Sequence, residues 1–168
     1  MYRCLTFHFF YYASYYCILF TQLPWYPIRY YFNHMPTVFL RIDGLVNAVN
    51  LNLGEVKLYN GNIQLPDLVS RASMSSEYLT PFEYIPLRNC FDGNIDSFCS
   101  SRNGDQNPWL QVDITGLEFD RVVVENRKDC CSFRIVGARI ALMTATGVVK
   151  WSSTFAIDQT QYTFTPGI

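Results

Sequence analysis

Four groups of residues in this 168-residue chain have types and spacings that could do chemistry. The first is Asn89-Cys90-Phe91-Asp92-Gly93-Asn94-Ile95-Asp96, with oxygen-bearing side chains at Asn89, Asp92, Asn94 and Asp96 around a glycine. Hard cations such as Ca²⁺ take about six to eight oxygens, some of them backbone carbonyls freed by a tight turn. No glutamate closes a twelve-residue loop, so this is not an EF-hand. The same run also reads as a loop whose Asx turns satisfy its own backbone. The second group is Cys130-Cys131. Adjacent cysteines can close a vicinal disulfide ring, although neighbouring Cα atoms are about 3.8 Å apart and ordinary bridges want more. Two independent thiols are the other reading. The third group is Arg127 and Arg134, which bracket that pair. Planar guanidinium forks can grip sugar hydroxyls or a carboxylate, or form surface ion pairs with Asp129 or Glu125. The fourth is Asn107-Pro108-Trp109, followed by Val112 and Asp113. It reads as a tryptophan that plugs one end of a β-sandwich.

Several function classes are excluded by what is missing. The two histidines are His8 and His34, both in the unusual first segment. A His-based triad or metal site in the rest of the chain is therefore excluded. No acid/base pair of carboxylates and no glycine-rich phosphate loop is recognisable, so the chain reads as non-enzymatic. A net charge of −1 with scattered Lys and Arg argues against nucleic acid as a partner. The six cysteines, Cys4, Cys17, Cys90, Cys99, Cys130 and Cys131, suit an oxidising compartment.

Short strands separated by turns must position these groups. Thr37–Ile42 is apolar and β-branched, and Asp43-Gly44 turns the chain. Glu55–Tyr59 alternates, and Asn60-Gly61 is a hairpin pair. Gly61–Leu65 returns beside it. Further strands are expected over Trp109–Ile114, Phe119–Arg127, Phe133–Leu142, Val148–Ser152 and Gln161–Phe164. No long amphipathic helical pattern occurs. The pattern therefore predicts an all-β sandwich over residues 36–168.

Residues 1–35 differ in kind. Met1–His34 holds half of the chain's aromatic residues and no acidic one. Its apolar run from Leu5 to Phe20 is shorter than the roughly 20 residues a membrane span needs. It reads as an aromatic arm for a partner subunit or a membrane surface, as a signal or anchor segment, or as sequence upstream of a start at Met35.

The loop motifs resemble the fucolectins. The resemblance runs through Asn89–Asn94, Ser97-Phe98-Cys99-Ser100-Ser101, Asn107–Asp113 and Asn126-Arg127-Lys128-Asp129-Cys130-Cys131-Ser132-Phe133-Arg134-Ile135-Val136-Gly137-Ala138. Fucolectins belong to the wider coagulation-factor type C, or discoidin, class of galactose-binding-like domains. The resemblance implies a jelly roll of a five-stranded and a three-stranded antiparallel sheet. It implies non-catalytic binding of fucose or a related sugar. Arg127 and Arg134 would meet the sugar hydroxyls, and the Cys130-Cys131 ring an apolar sugar face. Ser100 stands most nearly where the family has a sugar-binding histidine. Asn89, Asp92 and Asn94 would hold a structural Ca²⁺. The family ends in a Cys-Glu pair whose cysteine bonds the earlier loop and whose glutamate helps hold calcium. This chain ends Tyr162-Thr163-Phe164-Thr165-Pro166-Gly167-Ile168, with neither. Cys90 could pair with Cys99 instead.

Similar degenerate modules occur in proteins of large algal DNA viruses, where they look like decorations or minor components of the particle, and the stretch Phe39–Tyr59 resembles them too. Two functional readings follow, with an extracellular or virion location. One is a glycan-binding module. The other is a structural or assembly protein, such as a minor capsid component, that contacts neighbouring subunits, oligomerises, and uses its aromatic arm. An open pocket with Arg127 and Arg134 side by side and free of carboxylates marks the first. A packed arm marks the second.

Overall fold

The computed structural model describes residues 37–46 and 50–167. The aromatic segment and the boundary expected at residue 36 lie outside the described residues. Those residues form thirteen strands: β1 (Val38–Asp43), β2 (Asn52–Leu53), β3 (Glu55–Asn60), β4 (Ile63–Gln64), β5 (Ala72–Met74), β6 (Tyr78–Leu79), β7 (Tyr84–Ile85), β8 (Cys99–Ser100), β9 (Leu110–Asp113), β10 (Arg121–Glu125), β11 (Arg139–Thr144), β12 (Val149–Thr154) and β13 (Gln161–Phe164). Three short 3₁₀ turns accompany them, at Leu68–Arg71, Leu87–Cys90 and Ser132–Ile135.

Period-two alternation explains the two main layers. In β1, Leu40 and Ile42 are buried while Arg41 and Asp43 are partly exposed. In β9, Leu110 and Val112 are buried between the outward Gln111 and Asp113. Side chains on a pleated strand point alternately to opposite faces, so each run presents one apolar face. The first sheet has five strands in the order β12-β11-β1-β9-β5, and the second has four in the order β13-β10-β3-β4. Every pairing in both is antiparallel. The result is the expected all-β jelly-roll sandwich. The second sheet carries one strand beyond the expected three, because the Asn60-Gly61 turn lets Ile63–Gln64 fold back on Tyr59–Asn60.

One expected strand is shorter than its apolar run suggests. Phe133–Leu142 enters the sheet only from Arg139, and Ser132–Ile135 is a 3₁₀ turn. Cys131 and Gly137 flank that turn with φ of 63° and 86°. Left-handed residues at both sides break the extended run.

Phe155 is fully buried between the layers. Its ring meets Tyr162 and Phe164 edge-on at centroid distances of 4.8 and 5.2 Å. Its backbone amide donates to Ala138 O, and its carbonyl accepts from Gly137 N. It therefore ties β13 to the start of β11. Replacing Phe155 by alanine should cost about 3–5 kcal/mol, the range for buried aromatic truncation. Urea unfolding of the two proteins measures this, and a loss below about 1 kcal/mol would show that this ring is not central to the core.

Candidate ligand and cation site

Three chain segments meet at one end of the sandwich. They are residues 50–55, the loop 89–101, and the loop 126–134. The short ladder of β2 on β8, with Asn52 opposite Ser100 and Leu53 opposite Cys99, joins the first two. Leu51 N donates to Ser101 Oγ at 2.9 Å, and Ser101 N donates to Leu51 O at 2.8 Å. Cys90 and Cys99 form a disulfide that closes the loop between them.

Asn126 fixes the third segment. It follows β10 and is 1% exposed. Its Nδ2 donates to Ser132 O at 2.9 Å and to Gln159 O at 3.0 Å, while its Oδ1 accepts from Arg127 N at 2.9 Å. Both ends of the loop are thus held by one side chain. Cys130 and Cys131 form the vicinal disulfide within it. Cys130 is exposed and Cys131 half-buried.

Arg127 is anchored on Phe98, just before β8, and Arg134 on Asn50, which is bonded in turn to Ser100 of β8. The Arg127 guanidinium lies over the Phe98 ring, 3.6 Å from its centroid. Its Nε and Nη2 donate to the two Asp129 carboxylate oxygens at 2.5 and 2.7 Å. Arg127 is therefore not free of carboxylates, unlike the feature expected of a glycan pocket. Arg134 Nη1 donates to Asn50 Oδ1 at 3.0 Å, and Asn50 Nδ2 donates to Ser100 Oγ at 3.1 Å. Ser100 itself is 1% exposed, and its hydroxyl donates to Ser101 O. Any influence of Ser100 on a ligand runs through Asn50 and Arg134, because the pairing of β8 with β2 turns its hydroxyl inward. A cleft of 210 Å³ lies alongside, lined by Ile95, Asp96, Ser97, Phe98, Lys128 and Asp129. That is below the roughly 300–1,000 Å³ of sites for drug-sized ligands, and suits a single ring or the end of a chain.

The loop 89–97 does two things at once. Asp92 Oδ1 accepts from Asn94 N at 2.8 Å and Asn94 Oδ1 from Asp96 N at 3.1 Å, which are Asx turns. Four further contacts converge on one hydroxyl. Ser97 Oγ lies 3.3 Å from Asn89 O, 3.0 and 2.9 Å from the two Asp92 oxygens, and 2.9 Å from Asn94 O. A hydroxyl has one hydrogen to donate, so most of these close oxygen pairs have no proton between them.

Glu55 faces the same place from β3. It is 1% exposed, and its Oε1 has no hydrogen-bond partner. Its carboxyl lies against that of Asp92. Burial, and secondly the Asp92 carboxylate, push its pKa up to about 7. Lys57, two residues on, is paired with Glu125 at 3.5 Å. Among the described residues no three His, Cys, Asp or Glu side chains gather into a metal site. Two carboxylates with carbonyl and hydroxyl oxygens form a hard, all-oxygen set, which fits Ca²⁺ and not a soft metal. The residues present therefore fit the expected ion. Asn50, Glu55 and Phe98 were not singled out as site residues from sequence. Asn52 is also buried, with its amide unpaired.

Comparison with known proteins bears on the domain's class. Residues 89–166 match the model of the NedA-like, galactose-binding domain. Fucolectin-6 of Anguilla japonica is 42% identical over 60 residues, covering 32% of each chain. Fucolectin-3 of the same species is 38% identical over 82 residues, 45% of each chain. Fucolectin of Anguilla anguilla is 41% identical over 58 residues, 31% of this chain and 37% of that one. The chain thus spans between about a third and under half of these relatives' lengths. No solved structure matches significantly. The sandwich, with the match over residues 89–166, has the architecture of a galactose-binding-like domain. Within that class, the relatives it is similar to over 58 to 82 residues are fucolectins.

The Arg127–Asp129 pair has a pH signature. Hydrogen bonds from Arg127 hold the Asp129 carboxyl down at about 2. A depressed carboxylate contributes stability that is present above its unfolded value of roughly 3.9 and lost as pH falls through the folded one. Because Asp129 is well exposed, screening limits this to under about 1 kcal/mol. Asp129→Asn should therefore cost a little stability at pH 7 and clearly less near pH 2, where Asp129 is half protonated in the fold, measured by denaturant melts at both. A cost that persists undiminished at the acid end would show that the ion pair is not its source.

Proposed function

We propose that the domain is a non-catalytic carbohydrate-binding module of fucose or galactose type, working outside the cell. The observation that supports this best is the preorganised Arg127. Its ring-stacked face and its Asp129-held edge leave the other guanidinium N–H groups fixed in direction. The exposed Asp129 carboxylate beside it can accept a hydroxyl proton. Adjacent donor and acceptor groups match a sugar diol. Arg134, steadied by Asn50, adds a second set of donors. The Cys130–Cys131 ring presents an exposed apolar edge beside them. Two disulfides suit the oxidising conditions outside cells. Asn89, Asp92 and Asn94 supply oxygens to a structural Ca²⁺ that braces the loop leading to Phe98. The ion would supply fixed positive charge there and no chemistry on the sugar.

A second reading, contact with a neighbouring protein chain, is favoured by the carboxylate already on Arg127. The exposed Leu79, Phe82 and Tyr84 around the β6–β7 hairpin also favour it, Phe82 being 97% exposed.

A glycan array with and without Ca²⁺ separates the two. The glycan reading expects binding to one sugar class that the Arg127→Ala, Arg134→Ala double variant loses with its fold intact. Each charge-assisted hydrogen bond is worth about 1.5–3 kcal/mol, so the loss should be at least about tenfold. A blank array from folded protein would overturn the glycan reading and favour a protein partner.

A further inference from the structure

We propose that the outward face of the five-stranded sheet carries a second ligand site, built on Arg41 and Arg139, for a small hydroxylated carboxylate with the chemistry of a uronic acid. It is separate from the Arg127 site and does not rest on the glycan reading of that site. A cleft of 420 Å³ opens there, and Arg41, Asp43, Leu45, Asn107, Pro108 and Arg139 are among its walls. That lies within the roughly 300–1,000 Å³ of small-ligand sites, whereas the cleft beside Phe98 has 210 Å³. Alternation sets the chemistry of the face. Leu40 and Ile42 fill the core, so Arg41 and Asp43 point outward, and the register puts Arg139 of β11 opposite Asp43. The Asn107-Pro108-Trp109 stretch, which the loop site does not use, forms the neighbouring wall.

The charges of the cleft do not balance. Asp43 accepts from Arg41 Nε at 2.9 Å and from Arg139 Nε and Nη2 at 3.0 and 2.9 Å. Two guanidiniums thus share one carboxylate, and no other Asp or Glu lines the cleft among the described residues. One positive charge is left over. Both arginines are also held still. Arg41 Nη1 donates to Gln111 Oε1 at 3.0 Å, and its guanidinium lies over the Trp109 ring, 4.5 Å from the centroid. Arg139 is forked onto Asp43. Among the described residues nothing accepts from Arg41 Nη2 or Arg139 Nη1. These donors are already ordered, so a ligand that meets them gives up little entropy. A carboxylate matches the planar guanidinium and cancels the single excess charge, while a phosphate dianion would leave one of its own charges unbalanced. The exposed amides of Gln106 and Asn107 can donate to and accept from hydroxyls at the rim. Leu45 and Pro108 offer apolar surface to a ring.

The test follows the arginine side-chain N–H signals of the full chain by nitrogen-15 NMR during titration with methyl α-D-galacturonide, methyl α-D-galactoside and acetate. The expected result is a saturable shift at Arg41 and Arg139 with the galacturonide, and a much weaker response to the neutral sugar and to acetate. Arg139→Gln leaves Asp43 paired with Arg41, and a melting curve checks its fold. It should weaken galacturonide binding about tenfold or more, which is about 1.4 kcal/mol. The Arg127→Ala, Arg134→Ala double variant should bind the galacturonide as the natural protein does, whatever the loop site binds. The shifts in the natural protein decide the matter even if Arg139→Gln does not fold. No shift at Arg41 and Arg139, or galacturonide binding that disappears in the double variant, would overturn the second site. An equal response to the neutral galactoside would overturn its preference for a carboxylate, and an equal response to acetate would reduce it to simple ion pairing and overturn the hydroxylated ligand.

Discussion

The short pairing of β2 with β8 is the constraint on which the site depends. Two residue pairs, Asn52–Ser100 and Leu53–Cys99, join a segment near residue 50 to one near residue 100. The Cys90–Cys99 bridge then ties the start of the loop to the same ladder, and Cys90 Sγ lies 3.3 Å from Leu53 O. Because β3 follows β2 after a single residue, Glu55 is carried under the loop. Gly54 makes that junction. Its amide donates to Glu125 O at 2.9 Å, and a Cβ there would stand 3.0 Å from Asn126 O. A side chain at this position would push β3 from the asparagine that holds the arginine loop.

Two kinds of polar order result. On the arginine side the groups are satisfied: Ser100, Asn50 and Arg134 form a continuous chain of hydrogen bonds, and Asp129 closes the Arg127 fork. Fully paired networks rigidify, and a rigid donor set loses little entropy on meeting a ligand. On the loop side the groups are short of donors, as the free Glu55 Oε1 and the crowded Ser97 hydroxyl show. Phe98 stands next to Ser97 and carries Arg127, so order in the loop bears directly on the arginine.

Much of the fold was legible in the sequence. Alternation in VFLRID, EVKLYN and LQVD placed β1, β3 and β9, and the Asn60-Gly61 pair placed the hairpin after β3. The run Phe133–Leu142 misled because its apolar residues fit either a strand or a packed turn. Only the positive φ of Cys131 and Gly137 divides it. The loop motifs were legible as a group, since Asp92, Asn94, Arg127 and the cysteine pair carry their chemistry in their types. Asn50, Asn52 and Glu55 were not. In LNLGEV the polar residues alternate with apolar ones and look like the wet side of a strand. Here they are buried, because a loop from residues 89–101 covers them. Nothing local to residues 50–55 encodes that cover.

The most direct test of the central claim is a nitrogen-15 NMR titration of the arginine Nε–H groups with methyl α-L-fucoside and methyl β-D-galactoside. The account predicts saturable shifts at Arg127 and Arg134 with one of the two sugars, while Arg41 and Arg139, held by Asp43 on the five-stranded sheet, stay still. No shift at either arginine up to high millimolar sugar, or shifts centred on Arg41 and Arg139, would contradict it.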